Sequence, residues 1–332
     1  MSWLEKRWYS NQPAPRWLLP LEKLYSCLAN KNSAQAKSKQ WHSPVPVIVV
    51  GNISVGGTGK TPLVVHLIEL LRVKGYRPGI VSRGYKSDAP EYPFIITSAA
   101  TPEQAGDEPY MLYKRCRCPI VIDADRCAAA KLLLEETDCD LIISDDGLQH
   151  YRLGRDIEIA VIDGKRGIGN GHLLPAGPLR EGATRFDSVD FIVRNGTSDT
   201  SLLAGKSNLY QMDLVPQRLV NCQKRSVSLD VEGMAGSTVH ALAGIGNPKR
   251  FFTALQDQAK VTVLPHAMPD HYQYQPKDLQ FGDDHAIVMT EKDAVKVQAF
   301  ASDNSWYLEV SAQLPDNFSS QLLEKLQTVQ KS

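Results

Sequence analysis

The apolar and polar positions of this 332-residue chain follow two alternating rhythms. Residues 46–52, PVIVVGN, form a continuous apolar, β-branched run, as expected of a strand covered on both faces. Residues 63–71, LVVHLIELL, carry apolar side chains at helical spacing, and Pro62 stands where a first helical turn tolerates proline. Apolar runs at 79–82, 119–126 (PIVIDADR), 141–144, 158–164 (EIAVIDG) and 190–195 (DFIVRN) predict further strands between helical stretches. Strands alternating with helices over 46–195 predict a doubly wound, mainly parallel α/β sheet. A glycine- and proline-rich loop, RGIGNGHLLPAGPLREG, interrupts it before the last strand.

The rhythm changes near Ser207. YQMDLV and RSVSL read as paired extended segments, a linker ribbon. Beyond it, 239–255 reads as strand, glycine turn and helix, 261–274 as a strand and a loop carrying His266, Asp270 and His271, and 285–297 as strand and helix. WYLEV (306–310) is a last strand and 316–330 a final helix. The predicted organisation is an N-terminal segment at 1–40, a main sheet domain at 41–205, a linker ribbon at 206–232 and a smaller α/β domain at 233–332. The N-terminal segment holds Trp3, Trp8 and Trp17, several leucines, and seven basic residues against two acidic ones. Pro13, Pro15 and Pro20 predict short helical pieces there rather than one long helix. Its composition suits either a membrane interface or packing on its own domain.

Hydrophobic residues make up 42% and charged residues 22%, which fits a packed globular chain. Lys+Arg and Asp+Glu are both 37, so bulk charge gives no case for a nucleic-acid partner. No apolar run reaches the roughly 18–20 residues needed to span a bilayer. The six cysteines lack metal-site spacing and are expected to be reduced thiols.

Candidate chemistry begins between the first strand and its helix. Ser54, Val55, Gly56, Gly57, Thr58, Gly59, Lys60, Thr61 and Pro62 form a P-loop, which binds nucleotide phosphates. Glycines let backbone N–H groups converge on phosphate oxygens, and the helix N-terminus adds partial positive charge. Lys60 can reach the β- and γ-phosphates, and the Thr61 hydroxyl can ligate Mg²⁺. Ser54 departs from the general pattern, which has glycine there. The apolar strand 141–144 ends in Asp145-Asp146, the Walker B arrangement that puts a carboxylate on the metal side of a P-loop. Arg83 and Tyr85 follow the 79–82 strand, where ligands bind in open α/β sheets. Asp107 and Glu108 open a helix and read as caps, a metal ligand or a general base. Arg180 and Glu181 could shape an acceptor pocket.

A P-loop with a Walker B strand implies nucleoside triphosphate chemistry: a kinase, a switch NTPase, or a binding protein without turnover. Guanine recognition by Asn-Lys-x-Asp is missing, since Thr290-Glu291-Lys292-Asp293 has the wrong order. The dimeric ATPase switches carry an extra lysine where this chain has Val55. Both points favour a kinase over a P-loop ATPase switch.

The blocks VGNISVGGTGKTP, SRGYK, GDEP, SDDGLQHYRLGRD, GNGHLLPAGPLRE, AGIGNPKRFF, PDHYQY and MTEKDAVK resemble, in order and over nearly the whole chain, the tetraacyldisaccharide 4′-kinases of lipid A biosynthesis. The Ser54 departure is shared with that family. The resemblance implies an MgATP-dependent enzyme, peripheral on the cytoplasmic face of the bacterial inner membrane, that phosphorylates the 4′-hydroxyl of a tetraacyldisaccharide 1-phosphate to give lipid IVA. A monomer is expected. It implies catalytic roles for Lys60, Asp146 and an Asp107–His271 dyad. Thr61, Glu108 and Asp145 would be metal ligands, and Arg83, Tyr85 and Arg180 substrate contacts. A dyad drawn from both halves implies a cleft between domains that closes on substrate, and an acylated acceptor implies that the Trp-rich segment anchors at the bilayer.

Overall fold

The computed structural model describes residues 3–10, 12–197 and 203–330. Its centre is one mixed sheet in the order β3-β4-β2-β5-β1-β6-β7-β8-β13-β12-β10-β11. Strands β1 (Val47–Gly51), β2 (Pro78–Ser82), β4 (Ile120–Ile122), β5 (Leu141–Asp145), β6 (Ile157–Asp163) and β7 (Phe191–Asn195) pair in parallel, with β3 (Phe94–Ile95) antiparallel at the edge. All five residues of β1, β2 and β5 are buried, which explains their uninterrupted apolar sequences.

Helix α3 (Lys60–Val73) packs six buried side chains, Leu63, Val64, Val65, Leu67, Ile68 and Leu71, on one face of this sheet. Each contributes roughly 1.5–3 kcal/mol of apolar burial. Helix α5 (Asp107–Cys116) shares that face, and α6 (Arg126–Glu136) covers the other. In the second half, β10 (Thr238–Ala243), β11 (Thr262–Ala267), β12 (Ala286–Thr290) and β13 (Ser305–Gln313) are mutually parallel. Helices α7 (Pro248–Gln258) and α8 (Glu291–Val297) pack in its separate apolar clusters.

The pairing at the junction differs from the expected ribbon. Strand β8 (Leu209–Asn221) is 13 residues long and serves both halves. Its first residues run parallel to β7, and its remainder runs antiparallel to β13. RSVSL contributes β9 (Ser228–Asp230), which pairs with Arg218, Leu219 and Val220 rather than with YQMDLV. A thirteen-residue strand can change partners midway because its two edges are independent hydrogen-bonding surfaces. Beside this junction, Arg115 of α5 pairs with Glu291 at 3.1 Å and Glu309 at 3.0 Å, all three side chains about 10% exposed.

The final helix, α9 (Asp316–Val329), returns to the first half. Phe318, Leu322 and Leu326 are fully buried in the same cluster as Leu63, Leu67 and Tyr210. Phe318 meets Phe191 and Tyr210 edge-on, with ring centroids 5.6 and 5.2 Å apart. Sequence proximity placed this helix with the second half; its apolar face places it in the first.

The N-terminal segment also differs from expectation. Helix α1 (Trp3–Trp8) is short, but α2 (Leu19–Ser38) runs for 20 residues, because Pro20 occupies its first turn, where no backbone donor is lost. Trp8 is buried and its indole N–H donates to the Pro175 carbonyl at 3.1 Å. Trp3 and Trp17 remain 60% and 65% exposed. Glu22 fastens α2 to the 165–182 loop by accepting from Leu173 N and contacting His172 Nδ1.

Phe318→Ala should destabilise the whole chain by about 3–5 kcal/mol. Urea unfolding followed by Trp fluorescence and circular dichroism should show one shifted transition. Two transitions, with the nucleotide half unaffected, would show that α9 is not part of the first core.

Candidate active site

The P-loop leaves β1 at Gly51 and enters α3 at Lys60. Gly59 is the helix N-cap at φ 93°, and a Cβ there would lie 2.3 Å from Asn195 Nδ2, so only glycine fits. Ser54 needs no such freedom. It bridges Leu179 in an extended pairing, and Val55 N donates to the Pro178 carbonyl at 2.9 Å. The 165–182 loop therefore braces the start of the P-loop, where the general pattern has glycine.

Asn52, fully buried, holds this turn from inside: its Nδ2 donates to Ser54 O at 2.6 Å, and its Oδ1 accepts from Lys60 Nζ at 3.1 Å. Parallel pairing of Val50 with Asp145 brings the end of β5 beside the P-loop. Lys60 Nζ consequently forms an ion pair with Asp146 Oδ1 at 3.2 Å, and Arg180 Nη1 reaches Asp146 Oδ2 at 3.2 Å. Burial alone would raise the Asp146 carboxyl, but Lys60 and Arg180 outweigh it and hold the group at about 2. Asp146 sits at φ 51°, a left-handed conformation that aspartate tolerates better than most residues.

Asp145 is less well compensated. It is buried, and desolvation, with Glu108 and Asp146 nearby, outweighs the pull of Lys60 and Arg126 and pushes it up to about 7. Its Oδ1 has no hydrogen-bond partner, while Oδ2 receives Ser82 Oγ at 3.4 Å. An orphaned, buried carboxylate oxygen beside the α3 N-terminus suits a divalent cation. Thr61, the second residue of α3, and Glu108, whose charge reaches Asp145, are further oxygen donors. Among the described residues no group of three or more His, Cys, Asp or Glu forms a ready cage. Mg²⁺ binds through one or two carboxylates, with waters and phosphate completing its shell, so Asp145 with Glu108 is a donor set that fits it.

The second cluster crosses between the halves. Asp107 and Glu108 begin α5, and His271 lies in the loop after β11 at φ 60°. His271 Nδ1 is 3.2 Å from Asp107 Oδ2, and its ring meets Tyr85 edge-on at 5.3 Å. Two lysines of α8, one turn apart, complete the cluster. Lys292 Nζ donates to Glu108 Oε1 at 2.9 Å and Asp270 Oδ1 at 3.3 Å, and lies 3.4 Å from His271 Nε2. Lys296 Nζ stands 3.6 Å from Asp107 Oδ2 and 3.0 Å from Asp293 Oδ1. Burial would raise Asp107, but the His271 hydrogen bond and the two lysines hold it below the usual carboxylate range. Asp293 is fully buried and caps the structure locally: it receives Thr290 Oγ1 at 2.7 Å and Gly244 N at 2.8 Å.

A cleft of about 880 Å³ opens between α2 and the strand ends, with Tyr25, Arg126, His150, Arg180 and Arg185 in its wall. Arg180 links it to Asp146; Lys60, Asp107 and His271 do not line it. Arg126 is 1% exposed, with Nε and Nη2 unpartnered. Burial lowers its pKa to about 10, and burial with Arg126 and Arg83 nearby lowers that of His150 to about 4. Arg83 itself is exposed.

A family model described as tetraacyldisaccharide-1-P 4′-kinase matches residues 14–327. This chain belongs to that family. It is 44% identical to the tetraacyldisaccharide 4′-kinase of Nitrosococcus oceani over 328 residues, covering 98% of this chain and 94% of the relative. To the Azotobacter vinelandii kinase of the same name it is 46% identical over 312 residues, 93% and 92% of the two chains. The crystal structure of LpxK from Aquifex aeolicus in complex with ATP superposes with a TM-score of 0.78 at 29% identity, covering 93% of this chain and 98% of that one. The kinase family thus accounts for the whole sheet and both halves.

Sequence reasoning singled out the P-loop, Asp107, Glu108, Asp145, Asp146, Arg180 and His271, and the fold brings these to the same ends of the strands. Arg126, Asn52, Lys292 and Lys296 were not singled out. For Arg126 a signal existed: an arginine directly after the acidic end of an apolar strand, in DADR. The two lysines lie in the MTEKDAVK block, but nothing in it marks their partners on α5, 184 residues away for Lys292 and Glu108.

In metal-free protein, Asp145→Asn should raise the unfolding free energy at about pH 8, measured by urea denaturation, by an amount on the order of 2–4 kcal/mol. The folded-state value near 7 lies above the ordinary 3.8, so the native state binds the extra proton and wild-type stability falls as pH rises through that window. The advantage of Asn should shrink steadily toward pH 4. An advantage independent of pH would contradict the buried-carboxylate reading.

Proposed function

We propose that this chain transfers the γ-phosphoryl group of ATP to the 4′-hydroxyl of a tetraacyldisaccharide 1-phosphate, the reaction named for its family, and that it does so at a membrane surface. The observation that supports this most is the 3.2 Å contact between Asp107 and His271, residues 164 positions apart, beside a P-loop whose lysine is already paired to the Walker B carboxylate.

In this reading the 54–62 loop and the α3 N-terminus bind the triphosphate, and Lys60 exchanges Asp146 for phosphate oxygens. Thr61, Asp145 and Glu108 would hold Mg²⁺, which would supply charge neutralisation on the phosphates. Asp107 accepts the proton of the acceptor hydroxyl as the new O–P bond forms and the bond from phosphorus to ADP breaks. His271 orients that carboxylate. Asp107 is favoured over His271 as the base because Lys292 stands against His271 Nε2, the nitrogen that would otherwise face substrate. A base contributes only about 10²–10⁴-fold here, since positioning and charge neutralisation dominate phosphoryl transfer. The arginine-lined cleft suits the sugar and 1-phosphate of the acceptor, with Arg126 and Arg180 as donors. Arg83 and Tyr85 flank its approach to Asp107 and His271. Closure of the second half over substrate would then require only small movements, because the two halves share one sheet.

Trp17, Leu21, Leu24 and Leu28 recur at helical spacing along one side of α2 and its lead-in turn, and all four are exposed. Lys23, Lys31 and Lys37 accompany them. An exposed apolar stripe with flanking lysines suits a helix lying in a lipid interface beside the acyl chains. No described helix is long and apolar enough to cross a membrane. The reading is of a monomeric, peripheral enzyme on the cytoplasmic face of the inner membrane.

Two experiments test these assignments. With labelled ATP and the disaccharide lipid, Lys60→Ala, Asp107→Ala and His271→Ala should each lower kcat by about 10²-fold or more, with the lipid phosphorylated only by wild type at low enzyme concentration. ATP hydrolysis without acceptor phosphorylation would support the switch-type alternative. Separately, Leu21→Glu with Leu24→Glu should cut partitioning onto anionic vesicles severalfold while ATP affinity stays constant. Unchanged sedimentation would remove α2 as the anchor.

A further inference from the structure

Lys292 has more partners than any role so far assigned to it requires. It is 13% exposed at its side chain, yet its single ammonium faces Glu108, Asp270 and His271 at 2.9, 3.3 and 3.4 Å. Glu108 belongs to α5 in the first half, and the other two to the loop after β11 in the second. Burying an ammonium this far is costly unless it is paired on several sides, and here it is.

The chemistry of the contact is directional. A lysine ammonium has three N–H donors and no acceptor. The imidazole nitrogen 3.4 Å away must therefore present its lone pair, which makes Nε2 the acceptor. In neutral imidazole the proton then sits on Nδ1, and Nδ1 is the atom 3.2 Å from Asp107 Oδ2. The loop alone does not hold the ring in this pose. His271 has φ 60°, a conformation the surrounding contacts must maintain.

We propose that Lys292 is a positioning residue for the Asp107–His271 pair: its ammonium, fixed by Glu108 and Asp270, engages His271 Nε2 and so keeps the ring proton on Nδ1, aimed at Asp107. One oxygen of Asp107 is thereby occupied by a fixed donor, and the other is left for the acceptor hydroxyl. Lys296, one turn on, steadies the same carboxylate from 3.6 Å and ties it to Asp293. The proposal rests on the kinase reading for its catalytic consequence, but not for its statement about the ring.

The test uses full-length protein labelled with ¹⁵N-histidine, at about pH 8.5, roughly two units above the usual imidazole value of ~6.5. Comparison with His271→Gln identifies the His271 signals. Wild type should show His271 predominantly as the Nδ1–H tautomer. Lys292→Met should shift it to a mixture or to Nε2–H, and Asp270→Asn, which loosens the ammonium without removing it, should shift it partway. In the lipid phosphorylation assay Lys292→Met should lower kcat about 10–100-fold, with KM for MgATP changed less than about twofold. Lys292→Arg, which keeps a cationic donor, should recover most of the loss. An unchanged tautomer in folded Lys292→Met, or Lys292→Arg no more active than Lys292→Met, would overturn the proposal. A lower melting temperature with the tautomer intact would reduce Lys292 to an ordinary tether between the halves, which also overturns it. If instead Asp107→Ala and His271→Ala kept full activity, the acceptor-side reading would fall while the tautomer result still decided the role of Lys292.

Discussion

The ion pair between Lys60 and Asp146 is the constraint from which the rest of the site follows. Parallel pairing of β1 with β5 fixes the ends of those strands side by side, so a P-loop lysine and a Walker B carboxylate meet without further help. Two adjacent aspartates at such an end cannot be treated alike. Asp146 forms direct ion pairs with Lys60 and Arg180 and stays ionised. Asp145 is left with a serine hydroxyl and an empty oxygen, and its charge is disfavoured. The asymmetry distinguishes the two: one carboxylate orders Lys60 and Arg180, and its neighbour keeps an oxygen without a hydrogen-bond partner.

The Asp107–His271 cluster, the proposed acceptor side, is built on the opposite plan. There the carboxylates of α5 are compensated by lysines of α8, and the compensation crosses from one half of the chain to the other. The buried Arg115–Glu291–Glu309 cluster performs the same joining role nearby. Buried ion pairs of this kind add little net stability relative to apolar packing, but breaking one partner is expensive. Their effect is to fix the relation of α5 to α8, and with it the distance between Asp107 and His271.

How far the sequence could be read depended on the range of the interactions involved. The strands, the P-loop and the acidic end of β5 were legible because each is encoded within a short stretch by apolar runs and turn chemistry. Proline at position 20 was read as a breaker because its first-turn role depends on where the helix starts, which composition does not reveal. The shared strand β8 was hidden since a strand that changes partners midway leaves no local mark; YQMDLV and QRLVN look like one more extended stretch. Trp8 looked interfacial beside Trp3 and Trp17 until its indole found the Pro175 carbonyl, 167 residues away. Asp107 was legible as a carboxylate at a helix start, but its pairing with His271 came from family resemblance. The lysines that hold them lie in the MTEKDAVK block, where nothing local marks their partners across the chain.

The return of α9 to the first half has a consequence for how this molecule comes into being. Phe318, Leu322 and Leu326 complete the core cluster that the P-loop helix α3 shares with its face of the sheet. During synthesis, the segment that binds phosphate emerges more than two hundred residues before the side chains that complete this cluster. Until then the part of this cluster that α9 covers lies open, an apolar surface of the kind that chaperones and aggregation both act upon. The core of the first half is complete only when the end of the chain has been made, and a lesion in α9 is felt far from where it is written.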